Sequence, residues 1–177
     1  VGRDTISECR QMNKRIIHAL ALTTFGLFAT SSPAQSTDQD ILEDKRVAEA
    51  RALMQAGRDE IIEFEMGLTE DEAERFWPLY KSYRAEVMVV RDRYAAMIGG
   101  FLRAYDAGDL NDAYAEELLD EWLQYKEDLL KVQKQHVRKF RKVLPVRKVA
   151  RFYQLENKMD VEIDAELAVF VPLMEAD

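Results

Sequence analysis

The chain has few of the residues on which covalent cross-links, metal sites and tight turns depend. Its 177 residues include one cysteine, two histidines, four prolines and seven glycines. A single cysteine excludes an intramolecular disulfide. The shortage of glycine and proline argues against a β-sandwich or barrel built from many short strands. With 47% hydrophobic and 33% charged residues, the composition favours long amphipathic helices.

The chain also lacks the patterns on which most catalysis and nucleic-acid binding depend. It has 33 acidic against 25 basic residues, a net charge of −8 that disfavours nucleic acid as a partner. No P-loop, G-x-S-x-G or G-x-G-x-x-G pattern occurs. A usual zinc site needs three or four His, Cys or acidic ligands, and His136 stands between Lys134 and Arg138. We therefore expect no enzyme activity, no cofactor and no metal site.

The N-terminal region predicts export. A basic start after Met12 is followed by an apolar run at 16–28 and by small residues up to Ala34. This order is typical of a secretory signal peptide, here 12–34, cleaved after Ala34, with a periplasmic product. The alternative is a retained membrane anchor, but thirteen apolar residues fall short of the roughly 20 that span a bilayer. Residues 1–11, which contain the cysteine, are expected to be a misassigned start or an extension.

Four helices are predicted after a polar linker at 35–40, in a single helical domain at 41–177. Their expected spans are 41–66, 69 to about 106, 111 to about 142, and 145 to about 170. Phe64 is placed on the apolar face of the first helix by its spacing. The second helix opens with a capping box, Thr69 to Glu72. Its largely aromatic apolar face, from Phe76 to Phe101, recurs at alternate spacings of four and three. Long helices with short connections predict an all-α fold, an elongated antiparallel helical hairpin or open four-helix arrangement.

Basic residues are concentrated around the predicted turn between the third and fourth helices. We call residues 131–151 the basic segment, because no acid occurs between Asp128 and Glu156. Its nine basic residues are Lys131, Lys134, Arg138, Lys139, Arg141, Lys142, Arg147, Lys148 and Arg151. Interleaved apolar residues make the segment amphipathic; those expected to contact a partner are Phe140, Val149, Phe152 and Tyr153. The segment is either a solvated surface, paired with acids of this chain or a second subunit, or a docking site for anionic partners.

Two short segments open the second and fourth helices and carry a resemblance to a known family. They are Leu68-Thr69-Glu70-Asp71-Glu72 and Leu144-Pro145-Val146-Arg147-Lys148. Together with the export signal and the four helices, they resemble the Spy/CpxP-like periplasmic proteins, which carry a Leu-Thr-x-x-Gln motif twice, at the starts of two helices. Glu72 stands here in place of the first Gln, and Pro145 and Lys148 replace Thr and Gln in the second copy.

The resemblance implies a cradle-like antiparallel homodimer with a basic concave face. It implies ATP-independent binding of unfolded envelope proteins, or docking on the periplasmic face of a membrane sensor kinase. We expect chaperone activity, with electrostatic capture by the basic segment followed by loose apolar contact. The alternative is an accessory protein that docks on an acidic sensor domain and tunes an envelope stress response. A third hypothesis is an inert helical scaffold.

Overall fold

The structure is a computed structural model that describes residues 33–175, with side chains described at Lys45, Ala48 and Glu49 and from Arg51 onward. This part of the chain contains four helices and no strand, which confirms the all-α prediction. The helices are α1 (Pro33–Met66), α2 (Glu70–Ala107), α3 (Asp112–Phe140) and α4 (Val146–Phe170). None of them has an apolar stretch of the length needed to cross a membrane. The predicted signal peptide, except for its last two residues, and the predicted extension at 1–11 lie outside the described residues.

Helix α1 begins at Pro33, eight residues before the predicted start at Ile41. Residues 35–40, predicted as a linker, are therefore helical. Proline is tolerated at the first helical position because the amide it lacks would have no partner within the helix there. Residues 34–40 contain no glycine or further proline. Their polar composition, on which the predicted linker was based, does not by itself prevent a helix.

The termini of α2 follow the predicted signals. The Thr69 hydroxyl accepts a hydrogen bond from the Glu72 amide at 3.3 Å, and the Glu72 carboxylate accepts one from the Thr69 amide at 2.9 Å. The capping box is thereby confirmed. At the other end, Gly108 has φ +71°, a left-handed conformation that favours glycine and ends the helix. The helix continues through Pro78.

The described residues divide into two compact units, of which the first contains residues 33–67 and 155–166. Ile62, Met66, Leu155 and Met159 are its buried apolar side chains. Arg58 is also buried, and its guanidinium pairs with the Glu156 carboxylate at 3.3 Å and with Asp160. The predicted place of Phe64 on the apolar face was wrong, since its side chain is 61% exposed.

The second unit contains residues 68–154 and 167–175, and its main feature is a helical hairpin. The rings of Phe76 and Phe140 lie 5.5 Å apart near one end of the hairpin, and Tyr94 stacks on Tyr125 at 4.3 Å farther along. Phe76 lies near the start of α2 and contacts the last residue of α3, whereas Tyr94 lies farther along α2 and contacts an earlier residue of α3. The two helices therefore run antiparallel. The predicted antiparallel hairpin is confirmed.

An aromatic cluster forms the core of this second unit. Its members, all with less than 2% of their surface exposed, are Phe76, Tyr80, Tyr83, Phe140 and Phe152. Ring centroids lie 4.7 to 6.1 Å apart in tilted, stacked and edge-on pairs. Such pairs contribute about 0.5–1.5 kcal/mol each beyond the burial of their area. The cluster therefore fixes the end of α3 and the start of α4, where the basic segment lies.

Candidate functional site

The basic segment covers the end of α3, a tight turn and the first two turns of α4. Arg138 and Lys139 occupy the last turn of α3, where positive charge stabilises the negative end of the helix dipole. The turn is closed by backbone hydrogen bonds from the Lys142 amide to the Lys139 carbonyl at 3.0 Å and from the Leu144 amide to the Phe140 carbonyl at 2.9 Å. These hydrogen bonds fix the backbone of the turn, and with it the positions from which the basic side chains extend.

Eight of the nine basic side chains of the segment are exposed, and only Lys148 is half-buried. Seven of the exposed ones make no ion pair with any residue that the structure describes. These seven, which we call the basic surface, are Lys131, Lys134, Arg138, Lys139, Arg141, Lys142 and Arg147. The interpretation that they pair with acids of the same chain therefore has no support among the described residues.

The apolar part of the predicted partner site was wrong for three of its four residues. Phe140, Val149 and Phe152 are buried, the two phenylalanines completely. They point into the aromatic cluster because the apolar face of an amphipathic helix packs inward while its charged face meets water. The fourth, Tyr153, is half-buried, and its hydroxyl donates to the Gln133 carbonyl at 3.1 Å. The first three are not available to a partner in this conformation.

Other apolar side chains are exposed beside the basic surface. Val146 at the start of α4 is 63% exposed and lies next to Arg147 in the chain, and Leu130 is exposed next to Lys131. Sequence reasoning did not include either in the partner site. The signal that identifies Leu130 is its helical position, since it lies off the face that includes Tyr125 and His136.

The two helix-opening segments meet in the structure. The Lys148 ammonium donates a hydrogen bond to the Glu72 carboxylate, the same group that closes the capping box of α2. These bonds hold the pKa of Glu72 below its usual range, the bond from Lys148 being the larger cause and that from the Thr69 amide the next. The last residues of the two five-residue segments are thus direct partners, which their separation of 76 positions in the sequence did not reveal.

The remaining residues of the two segments have mainly packing roles. Leu144 is buried and Leu68 is half-buried. Pro145 is exposed and occupies the cap position of α4 without a side-chain hydrogen bond. Only the first segment therefore caps its helix by side-chain hydrogen bonding.

His136 is a core residue of the hairpin. It is fully buried, its ring lies 5.4 Å from that of Tyr83, and its Nε2 atom lies 3.0 Å from the Glu86 carboxylate. Within residues 33–175 no group of three or more His, Cys, Asp or Glu side chains is arranged to hold a metal ion. The exposed lysine and arginine side chains of the basic segment can attract anionic groups reversibly.

Comparison of the chain with models of known protein families, with curated proteins and with solved structures found no match.

Proposed function

We propose that this protein is an ATP-independent, chaperone-like protein of the periplasm that binds unfolded or acidic envelope proteins through its basic surface. The observation that carries the proposal is the exposure of seven lysine and arginine side chains without ion pairs to described residues. The export part of the proposal depends on the signal-peptide pattern at 12–34, and the chaperone part depends also on the resemblance to the Spy/CpxP-like proteins.

Binding at the basic surface depends mainly on charge. Clustered charges of one sign speed the encounter with an anionic partner, and the attraction weakens as salt screens it. With Phe140 and Phe152 in the core, apolar contact falls to exposed side chains such as Val146. Weak contacts spread over several long side chains release a client without ATP and accept clients of different sequence.

The test measures light scattering of a reduced or heat-unfolded client protein with and without the purified protein, in the absence of ATP. We expect suppression of scattering at roughly stoichiometric amounts in low salt, and weaker suppression in high salt. Variant K139E/K142E/R147E reverses three charges of the basic surface and should abolish most of the suppression. The matched control K45E/K81E/K158E makes the same change in net charge at exposed lysines elsewhere and should retain it.

Equal activity of the two triple variants, or no suppression of several unrelated clients, would refute the chaperone proposal. Circular dichroism of each variant separates loss of binding from loss of fold. A salt-independent suppression would also contradict the assignment of the site to the basic surface.

A second candidate function is docking on one acidic domain of a membrane sensor. It is favoured by the burial of Phe140, Val149 and Phe152, because a folded acidic domain needs less apolar contact than an unfolded chain does. A single reversal, Arg138→Glu or Arg141→Glu, should then weaken binding strongly, since a defined interface depends on a few well-placed groups. Titration of a purified acidic sensor domain, followed by calorimetry, distinguishes this function from a scaffold, which would be indifferent to both reversals.

A further inference from the structure

A groove lies between α2 and α3 in the half of the hairpin that leads to the turn at Gly108. We call it the hairpin groove; residues 90–100 of α2 and 114–125 of α3 contribute its walls, all within the second compact unit. Its volume is about 730 Å³. Sites for drug-sized ligands have volumes of about 300–1,000 Å³, so the groove is large enough to hold a small organic molecule.

The lining of the hairpin groove is largely apolar and aromatic. The rings of Tyr94 and Tyr125 stack with their centroids 4.3 Å apart, and Tyr125 is buried. Met97, Tyr114 and Leu118 also line the groove and are half-buried. Aromatic rings and flexible thioethers pack well against flat or irregular apolar groups. The lining therefore favours a ligand with an aromatic or aliphatic body.

Small residues on α2 keep the groove open. Ala96 and Gly100 lie four positions apart, on one face of the helix, and both line the groove. A Cβ atom on Gly100 would lie 3.7 Å from the hydroxyl oxygen of Tyr114 on the opposite wall. Larger side chains at these two positions would occupy the space between the helices.

The rim of the groove is acidic. Glu117, Asp120 and Glu121 line the groove, are exposed, and make no ion pair with any residue that the structure describes. Arg93 also lines the groove, but its guanidinium pairs with the Asp128 carboxylate at 2.8 Å. From position 90 to position 128 the chain contains ten acids and four basic residues. The groove therefore attracts cations and disfavours anions.

The type of cation follows from the arrangement of these groups. Within residues 33–175 no three acids are placed to hold a metal ion together, so the rim carboxylates do not form a site for a bare divalent cation. Aromatic rings at this end of α3 already contact a positive charge: the Lys126 Nζ atom lies 5.2 Å from the ring centroid of Tyr125 and 5.4 Å from that of Trp122. These are cation–π distances. Charge and lining together thus fit a cation that carries an apolar body.

We propose that the hairpin groove binds small amphiphilic organic cations, in which a protonated amine or quaternary ammonium group is joined to an aromatic or aliphatic body. The body packs against Tyr94, Tyr114 and Met97, and the positive charge faces Glu117 and Glu121. The groove shares no residue with the basic surface and attracts charge of the opposite sign. The proposal therefore goes beyond the proposed client binding and does not depend on it.

The first test measures binding of berberine, a flat aromatic quaternary cation, to the purified protein by isothermal titration calorimetry. We expect one site per chain and weaker binding in high salt. E117Q/E121Q removes two rim charges with little change in size and should raise the Kd about fivefold. The matched control E116Q/E127Q makes the same change in net charge at exposed glutamates of α3 outside the groove, and should leave the Kd unchanged.

The second test fills the groove without changing its charge. Ala96→Phe places a ring in the space between the helices and should raise the Kd for berberine by more than about tenfold. The matched control Ala95→Phe adds the same ring at the neighbouring position, which is exposed and does not line the groove, and should retain binding. Circular dichroism verifies that each variant is folded.

A competition experiment tests whether the occupant is a small molecule or a basic peptide. Displacement of berberine by an equal concentration of pentalysine would assign the groove to basic peptide segments and overturn the proposal. Equal effects of E117Q/E121Q and E116Q/E127Q, full binding by Ala96→Phe, or no binding at millimolar berberine would also overturn it. Suppression of client scattering by E117Q/E121Q should match that of the wild type, so failure of either proposal is distinguished from failure of the other.

Discussion

The substitution Phe152→Ala distinguishes a core role of this residue from the surface role that its place in the basic segment suggested. Its ring is fully buried and lies 4.7 Å from that of Phe140, 5.4 Å from that of Phe76 and 5.7 Å from that of Tyr83. Removing a buried phenylalanine side chain costs about 3–5 kcal/mol of unfolding free energy, from lost burial and the cavity left behind. A domain with a total stability of about 5–15 kcal/mol loses a large part of it by such a change.

Urea denaturation followed by far-ultraviolet circular dichroism measures this loss. The matched control is Phe170→Ala, which removes the same side chain from the same helix at a position that is 53% exposed, and should cost less than about 1 kcal/mol. If Phe152→Ala unfolds within about 1 kcal/mol of the wild type, the assignment of Phe152 to the core is refuted. The conservative change Phe152→Leu keeps most of the burial, so it should retain both the fold and the suppression of client aggregation.

Three further predictions concern charge and capping. Thr69→Ala removes the oxygen that caps α2 and should lower the unfolding free energy by about 1 kcal/mol, measured by the same denaturation. The pKa of Glu72 is lowered in the folded protein, so the ionised carboxylate stabilises the fold above the ordinary pKa of 4.5, and this stability is lost as pH falls through the folded pKa. Lys148→Met removes the larger cause of the lowered pKa. In urea denaturation over this acidic range, the variant should therefore lose less unfolding free energy on acidification than the wild type does. Arg58→Ala removes the guanidinium that pairs with the buried Glu156 carboxylate and should lower the unfolding free energy by about 3–5 kcal/mol in the same assay.

Each of these predictions has a control and a contradicting result. Thr69→Ser should restore the cap, and an equal loss in Ser and Ala variants would contradict the capping role. The control for the acidic range is Lys158→Met, which changes an exposed lysine elsewhere. If its unfolding free energy depended on pH in the same way as that of Lys148→Met, the bond between Lys148 and Glu72 would not be the cause. Arg147→Ala removes an exposed arginine and should change stability by less than about 0.5 kcal/mol; a similarly small effect at Arg58 would show that its ion pairs are dispensable.

The elements that sequence predicted well are those specified by local chemistry. A capping box involves residues three positions apart, and the α2 face from Phe76 to Phe101 repeats over seven spacings. The antiparallel hairpin follows, because two such faces joined by a short turn bury each other. The contacts of Arg58 could not be predicted in this way, because helical periodicity places a charged residue on the solvent side. In the structure Arg58 is buried, and two carboxylates of α4 compensate its charge.

The partner site was harder to predict because it depends on side-chain direction. Phe140 and Arg141 are neighbours in the sequence, and the sequence pattern assigns both to one amphipathic surface. One residue corresponds to a turn of about 100° around the helix, so Phe140 enters the core while Arg138 and Arg141 stay in water. The pairing of Glu72 with Lys148 was also beyond local reasoning, since it depends on how α4 returns to the start of α2.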